Sequence, residues 1–221
     1  DQFQSDTITL RNEIFQFHVR NNKSYQKYLE STKINEWTDI PVMNKQSVQV
    51  NINERLSDGF RLNKVYLNST SGSTGQPFYF AKDKFAHAMT WALIFDRYSH
   101  HGIDLNNSLQ ARFFGIPLAA RGYLKEKIKD KLANRVRFPV FDLSDRILEN
   151  YLSEFTKRPF EYINGYSSSL VLFAKFILGH GIVLRNLCPT LKVCITTSEI
   201  CFPEDRMLME KAFGTRVVNE Y

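Results

Sequence analysis

No run in this chain of 221 residues approaches the roughly 20 consecutive apolar residues that a membrane-spanning helix needs, and its start lacks the charged-then-apolar layout of a signal peptide. A protein in solution without a transmembrane segment is therefore expected. Cysteine is scarce: Cys188, Cys194 and Cys201 form neither a CxxC pair nor an even disulfide framework, which makes a reducing, cytoplasmic setting the simpler expectation. The five histidines have no metal-ligand spacing to those cysteines or to carboxylates, so no metal site is read. His100 and His101 follow a helical run and precede Gly102, which suits solvation of a helix end. Internal repeats, low-complexity tracts and Pro/Gly/Ser linkers are also missing, so disorder is not expected and nothing forces a domain boundary after about residue 65.

What is present points to a packed core. The chain is 43% hydrophobic, with 18 Phe and 10 Tyr spread along it. A formal charge of +6, from 29 basic and 23 acidic residues, suits an anionic partner without choosing among a nucleotide, a nucleic acid and a membrane surface. Much of the local excess lies in Arg121 to Arg137, where Lys125, Lys127, Lys129 and Lys131 alternate with Glu126, Asp130 and apolar positions. A solvated helix face is the simpler reading of that run, and a surface for nucleic acid or anionic lipid the alternative.

Periodicity divides the chain. Leu10, Ile14 and Phe17 have helical spacing with Asp6 or Thr7 available as a cap, and Ile34 to Leu62 reads as irregular connections, giving an N-terminal helical and irregular segment over 1–64. From 65 to 221, short β-rich runs alternate with striped helices, the pattern of a layered α/β fold with packed helices. Strands are predicted at Val65–Leu67, Phe78–Ala81, Leu109–Ile116, Val136–Leu143, Glu161–Gly165, Leu191–Thr197 and Arg216–Tyr221. Trp91, Ile94, Phe95 and Tyr98, flanked by Met89, Ala92 and Leu93, predict a deeply buried helix. A second stripe, Leu170 to Leu178, stops at Gly179 and Gly181, and a third helix starts near Pro203 with Glu204 and Asp205 in its first turn and stops at Gly214.

The most informative stretch is Thr70-Ser71-Gly72-Ser73-Thr74-Gly75-Gln76-Pro77. Its glycines let successive N–H groups converge on an anion, and the hydroxyls of Ser71, Ser73 and Thr74 add donors around phosphate oxygens. It is not a Walker A loop, because no GK[ST] follows the first glycine. A plain Ser/Gly-rich hairpin loop between two strands is the competing reading.

TSGSTGQP resembles the phosphate-binding signature of the adenylate-forming superfamily, which includes acyl-CoA synthetases, peptide-synthetase adenylation domains and luciferases. A lysine often follows the proline there. Phe78 stands in its place here, as is compatible with the branch of phenylacetate-CoA ligases and CapK-type capsular polysaccharide biosynthesis proteins. RPFEYINGYSSSL resembles the strand and bend entering the acyl-substrate region, with Gly165, Tyr166 and Ser167 at the bend. LKVCITTSE, ending in Thr197, Ser198 and Glu199, resembles the strand leading to the adenine-side turn. RVVNEY resembles the approach to a Tyr-Gly-x-[ST]-Glu motif, with the Tyr221 ring placed to stack on adenine.

The resemblance implies part of the N-terminal domain of an adenylate-forming enzyme, with ATP and Mg2+ as cofactors. It also implies attack of a substrate carboxylate on the α-phosphorus to give an acyl-adenylate and pyrophosphate, then transfer to CoA or another acceptor. Ser71 to Gly75, Thr197 to Glu199 and Tyr221 would hold the nucleotide, and Gly165 to Ser167 the acid. No residue is assigned to catalysis itself and no nucleic-acid partner is expected. Starting at Asp1 and stopping at Tyr221 inside a predicted strand, the chain is expected to be a fragment, inactive alone, with the magnesium-holding glutamate, the ribose-binding acid and the C-terminal lysine beyond it.

Overall fold

The computed structural model describes residues 2–45, 48, 51–70, 77–115 and 123–220. These fall into two compact units, 1–92 and 93–221.

In the first unit, α1 (Gln2–Asn21) and α2 (Lys23–Leu29) are separated by Asn22. Its Oδ1 accepts from the Tyr25 N–H at 2.9 Å to cap α2, while its Nδ2 donates to the Arg55 carbonyl at 2.7 Å. Asn22 therefore ties the helical turn to the short α3 (Ile52–Arg55). Asp6 and Thr7 do not cap α1: nothing between residues 2 and 7 breaks a helix, so α1 begins earlier and encloses them. Leu10, Ile14 and Phe17 remain exposed along it. Next come β1 (Tyr66–Ser69) and β2 (Tyr79–Lys82), paired antiparallel from Tyr66↔Lys82 to Ser69↔Tyr79.

α4 (Lys84–Ser99) is where hydrophobic spacing misleads. Of its residues only Tyr98 is buried, while Trp91 and Leu93 are 49% and 54% exposed. An apolar stripe records that a helix needs cover; it does not supply the cover, and the expected deep burial is absent among the described residues.

The second unit is a five-stranded parallel sheet. In chain order it runs β3 (Gln110–Phe113), α5 (Tyr123–Leu132), β4 (Arg135–Phe138), α6 (Asp145–Lys157), β5 (Tyr162–Tyr166), α7 (Ser167–Gly179), α8 (Leu184–Leu187), β6 (Val193–Thr197), α9 (Pro203–Phe213) and β7 (Arg216–Asn219). The strand order is β4-β3-β5-β6-β7. All seven predicted strands exist, most of them shorter. β4 stops at Phe138 rather than Leu143 because Pro139 has no N–H to continue the ladder. α6, which the periodicity reading passed over, carries Leu148 and Phe155 into the core.

The main core lies on the α6, α7 and α9 side of the sheet and is dominated by phenylalanine. Phe113 and Phe138 stack at 4.7 Å across adjacent strands, and Phe155, Phe160 and Phe173 surround them. A smaller cluster, Tyr98, Ile103, Tyr162, Val193 and Ile195, covers part of the other face. α9 ends as its residues dictate: Gly214 takes φ +67°, and a Cβ there would meet Val183 Cγ1 at 2.7 Å. α7 ends at Gly179, with the left-handed position at Gly181.

Candidate functional site

The strand order reverses between β3 and β5: the chain leaves β3 toward β4 at the edge, then crosses back to β5 and proceeds through β6 to β7. In open α/β sheets, a reversal of this kind opens a crevice at the carboxyl ends of the strands, where ligands bind. β5 ends there at Tyr166, and β6, the next strand away from the reversal, ends at Thr197; the pairs Gly165↔Thr196 and Tyr166↔Thr197 set the two ends side by side. The sequence-predicted groups Gly165, Tyr166, Ser167 and Thr197, Ser198, Glu199 are thus brought together, although 29 residues separate Ser167 from Thr197 in the chain.

A carboxylate holds the two turns. Ser198 sits in the left-handed region at φ +65°, which reverses the chain after β6. Glu199 Oε2 then accepts from the Ser168 N–H at 2.7 Å and Oε1 from the Ser168 hydroxyl at 3.1 Å. The Ser167 hydroxyl donates to the Glu199 carbonyl at 3.5 Å. Ser168 is in the first turn of α7, so Glu199 satisfies an otherwise unpaired N–H and places negative charge at the positive end of the helix dipole. Ser168 was missed in the sequence; its signal was a serine just inside a helix that follows a strand end directly.

The β3 side of the crevice is aromatic and cationic. The Phe114 ring lies 4.8 Å from that of Tyr166, and the Arg112 guanidinium sits 4.5 Å over Phe114. Gly165 is glycine for a steric reason: a Cβ there would lie 2.6 Å from Phe113 Cβ and 2.7 Å from the Phe113 carbonyl oxygen. Deeper, the buried Asn164 accepts from Gln110 at 3.4 Å and donates to the Ile195 carbonyl at 3.3 Å, joining β3, β5 and β6. At the far strand Tyr98 donates to Glu220 Oε1 at 3.2 Å. Burial, and then the Glu220 charge, push the Tyr98 phenol well above its usual range, which keeps it a protonated donor, and burial pushes Tyr162 up to about 12.

Ser71, Gly72, Ser73, Thr74 and Gly75 lie outside the described residues, as does Tyr221. The flanks of the loop are described. Thr70 N–H donates to the Phe78 carbonyl at 2.9 Å, and Phe78 N–H donates back to the Thr70 hydroxyl at 3.0 Å, which extends the pairing of β1 with β2. Among the described residues no group of three or more His, Cys, Asp and Glu side chains gathers as a metal site would require. All three cysteines are free thiols. No described helix is long and apolar enough to cross a membrane.

No protein-family model and no curated protein matches the chain in sequence. Solved structures do match it. An open conformation of 2-hydroxyisobutyryl-CoA ligase, in complex with 2-HIB-AMP and CoA, superposes with a TM-score of 0.60 at 14% identity, covering 94% of this chain and 47% of that one. The likeness is one of fold. The same ligase in the postadenylation state with 2-HIB-AMP gives 0.61 at 14% identity, and in the thioesterification state with 2-HIB-AMP and CoA 0.59 at 16%, each covering 94% of this chain and 46% of the ligase. The chain therefore spans less than half the length of the acyl-CoA ligases whose fold it shares.

Proposed function

We propose that this chain is the nucleotide-side part of an ATP-dependent, carboxylate-activating ligase that forms an acyl-adenylate, of the phenylacetate-CoA ligase and capsule-biosynthesis type, working in the cytoplasm. One observation carries the reading. The residues whose order resembles the adenylate-forming signature, Gly165 to Ser167 and Thr197 to Glu199, lie side by side at strand ends beside the order reversal, in a fold shared with a ligase solved with an acyl-AMP, and this supports the reading.

In this reading Ser71 to Gly75 present backbone N–H groups and hydroxyls to the triphosphate, Thr197 to Glu199 border the adenine with Tyr221 stacked on it, and Gly165 to Ser167 shape the end of the acid pocket. Work of this kind is charge neutralisation and alignment, with no covalent step on the protein. Among the described residues no carboxylate cluster gathers for magnesium and Glu199 is engaged by Ser168, so the ion is proposed on the resemblance alone. CoA or another nucleophile is the proposed acceptor.

Since the chain spans less than half of the ligases, activity is proposed for the protein that completes the fold, and the chain alone is expected to be inactive. The test is acid-dependent ATP–pyrophosphate exchange by that protein over a panel of carboxylic acids. Exchange that falls in Ser73→Ala with Thr74→Ala, at unchanged melting temperature, is the expected result. ATP binding without exchange for any acid would leave a non-catalytic nucleotide module in its place.

A further inference from the structure

A second concave site lies along the β4 edge of the sheet. A cleft of about 480 Å3 between the C-terminal half of α5 and the edge strand β4 is lined by Lys127, Lys131, Arg135, Arg137 and Arg158, with Asp130 as the one carboxylate. Its lining runs from Arg135 at the start of β4 to Pro139 just past its end, and Arg158 closes α6 just before β5. The crevice of Tyr166 and Thr197 is at the C-terminal ends. None of the cleft's lining residues belongs to that crevice.

The cleft has a built floor. Asp130 accepts from Arg135 Nε and from Arg137 at 3.1 Å (Nε) and 2.9 Å (Nη2), which fixes two guanidinium planes side by side. The Arg137 side chain is only 7% exposed. Burial alone would raise the Asp130 carboxyl, and the hydrogen bonds from Arg137 and Arg135 outweigh it, so the carboxyl is held below its usual range. Above that floor Lys127 and Lys131 stand one helical turn apart on α5, both exposed, and Arg158 is shared with Glu154 at 2.8 Å. Among the described lining residues five are cations and one, Asp130, is a carboxylate.

We infer that this cleft binds a small phosphate-bearing anion. The volume lies within the range of ligand pockets, roughly 300–1,000 Å3. Fixed guanidinium forks below and flexible ammonium groups above match the several oxygens of a phosphate or pyrophosphate group, and partial burial strengthens each contact over its value in open water. A tie of Asp130 to the edge strand explains α5's position, but it does not require three further cations around the same concavity. This inference does not rest on the ligase reading.

The experiment titrates the 221-residue chain with inorganic pyrophosphate. It follows the side-chain Nε–H resonances of Arg135 and Arg137 by NMR and the affinity by calorimetry at low and high salt. Both arginine signals should shift, and the affinity should fall as salt rises. Lys127→Glu with Lys131→Glu should weaken that response at least about tenfold, a change of about 1.4 kcal/mol. The matched pair Lys175→Glu with Lys211→Glu, exposed on α7 and α9, should leave it unchanged. Ser73→Ala with Thr74→Ala should also leave the arginine shifts intact, which separates this site from the proposed nucleotide loop. Silent arginine signals, equal weakening by the control pair, or a response to phosphatidylglycerol vesicles but not to free pyrophosphate would each overturn the assignment.

Discussion

Gly165 shows how one residue serves both fold and site. It is the parallel partner of Phe113, and a methyl group in its place would press on the Phe113 carbonyl as well as on its Cβ, so a rotamer change cannot relieve the contact. Overpacking of this kind costs about 1–3 kcal/mol. Gly165→Ala should therefore lower the melting temperature by several degrees, whereas Gly179→Ala, at the end of α7 with nothing within 4 Å of its Cβ position, should not. Thermal unfolding followed by circular dichroism compares them, and equal melting temperatures would refute the steric account. At this scale the resemblance made Gly165 to Ser167 and Thr197 to Glu199 legible, but not why they meet. Parallel pairing joins residues about 30 apart and leaves no local mark, and Ser168 and Phe114 enter the site only through that pairing.

Elements were legible where a pattern is local. The seven strands show as short β-rich runs, and Pro203 and Gly214 bracket α9 as they should. α6 also has a readable stripe in Leu148, Tyr151, Leu152 and Phe155, set within a polar stretch. The burial of α4 was not readable, because burial depends on what lies opposite. α5 poses a different question, since its run of lysines reads as solvated while Asp130 secures the helix to β4. The Asp130 carboxyl is more acidic folded than unfolded, so the unfolded chain takes up the proton first. The stability this contributes is present above the ordinary aspartate pKa of about 3.9 and is lost as pH falls through the depressed folded value. Asp130→Asn should remove that part of the acid sensitivity and, at neutral pH, destabilise the chain by leaving Arg135 and Arg137 without their shared carboxylate. Urea unfolding across the acid range measures both. An Asn variant with wild-type stability at neutral pH would show that the tie contributes nothing.

Over the whole molecule, apolar burial is divided very unevenly between the two compact units. Among the described residues, Leu29 is the one buried hydrophobic side chain within 1–92, whereas the cores around Phe113 and Tyr162 lie wholly within 93–221. Buried apolar area is the main source of resistance to opening, and regions with few such contacts exchange their amide protons through local opening well below the global free energy. The central strands β5 and β6, ladder-bonded on both sides and bearing the fully buried Ile163 and Cys194, should hold the slowest amides of the chain. Amides of α1, α2 and the β1–β2 hairpin should exchange at least about tenfold faster, corresponding to an opening free energy lower by 1.4 kcal/mol or more. Hydrogen–deuterium exchange resolved by mass spectrometry reads both regions in one sample, which removes differences of pH and temperature between them. Because a proline or a side-chain effect alters intrinsic exchange, the comparison is made on protection factors. If peptides from 1–92 prove as protected as those of β5 and β6, the chain opens as one cooperative body, and buried apolar area does not set its local stability.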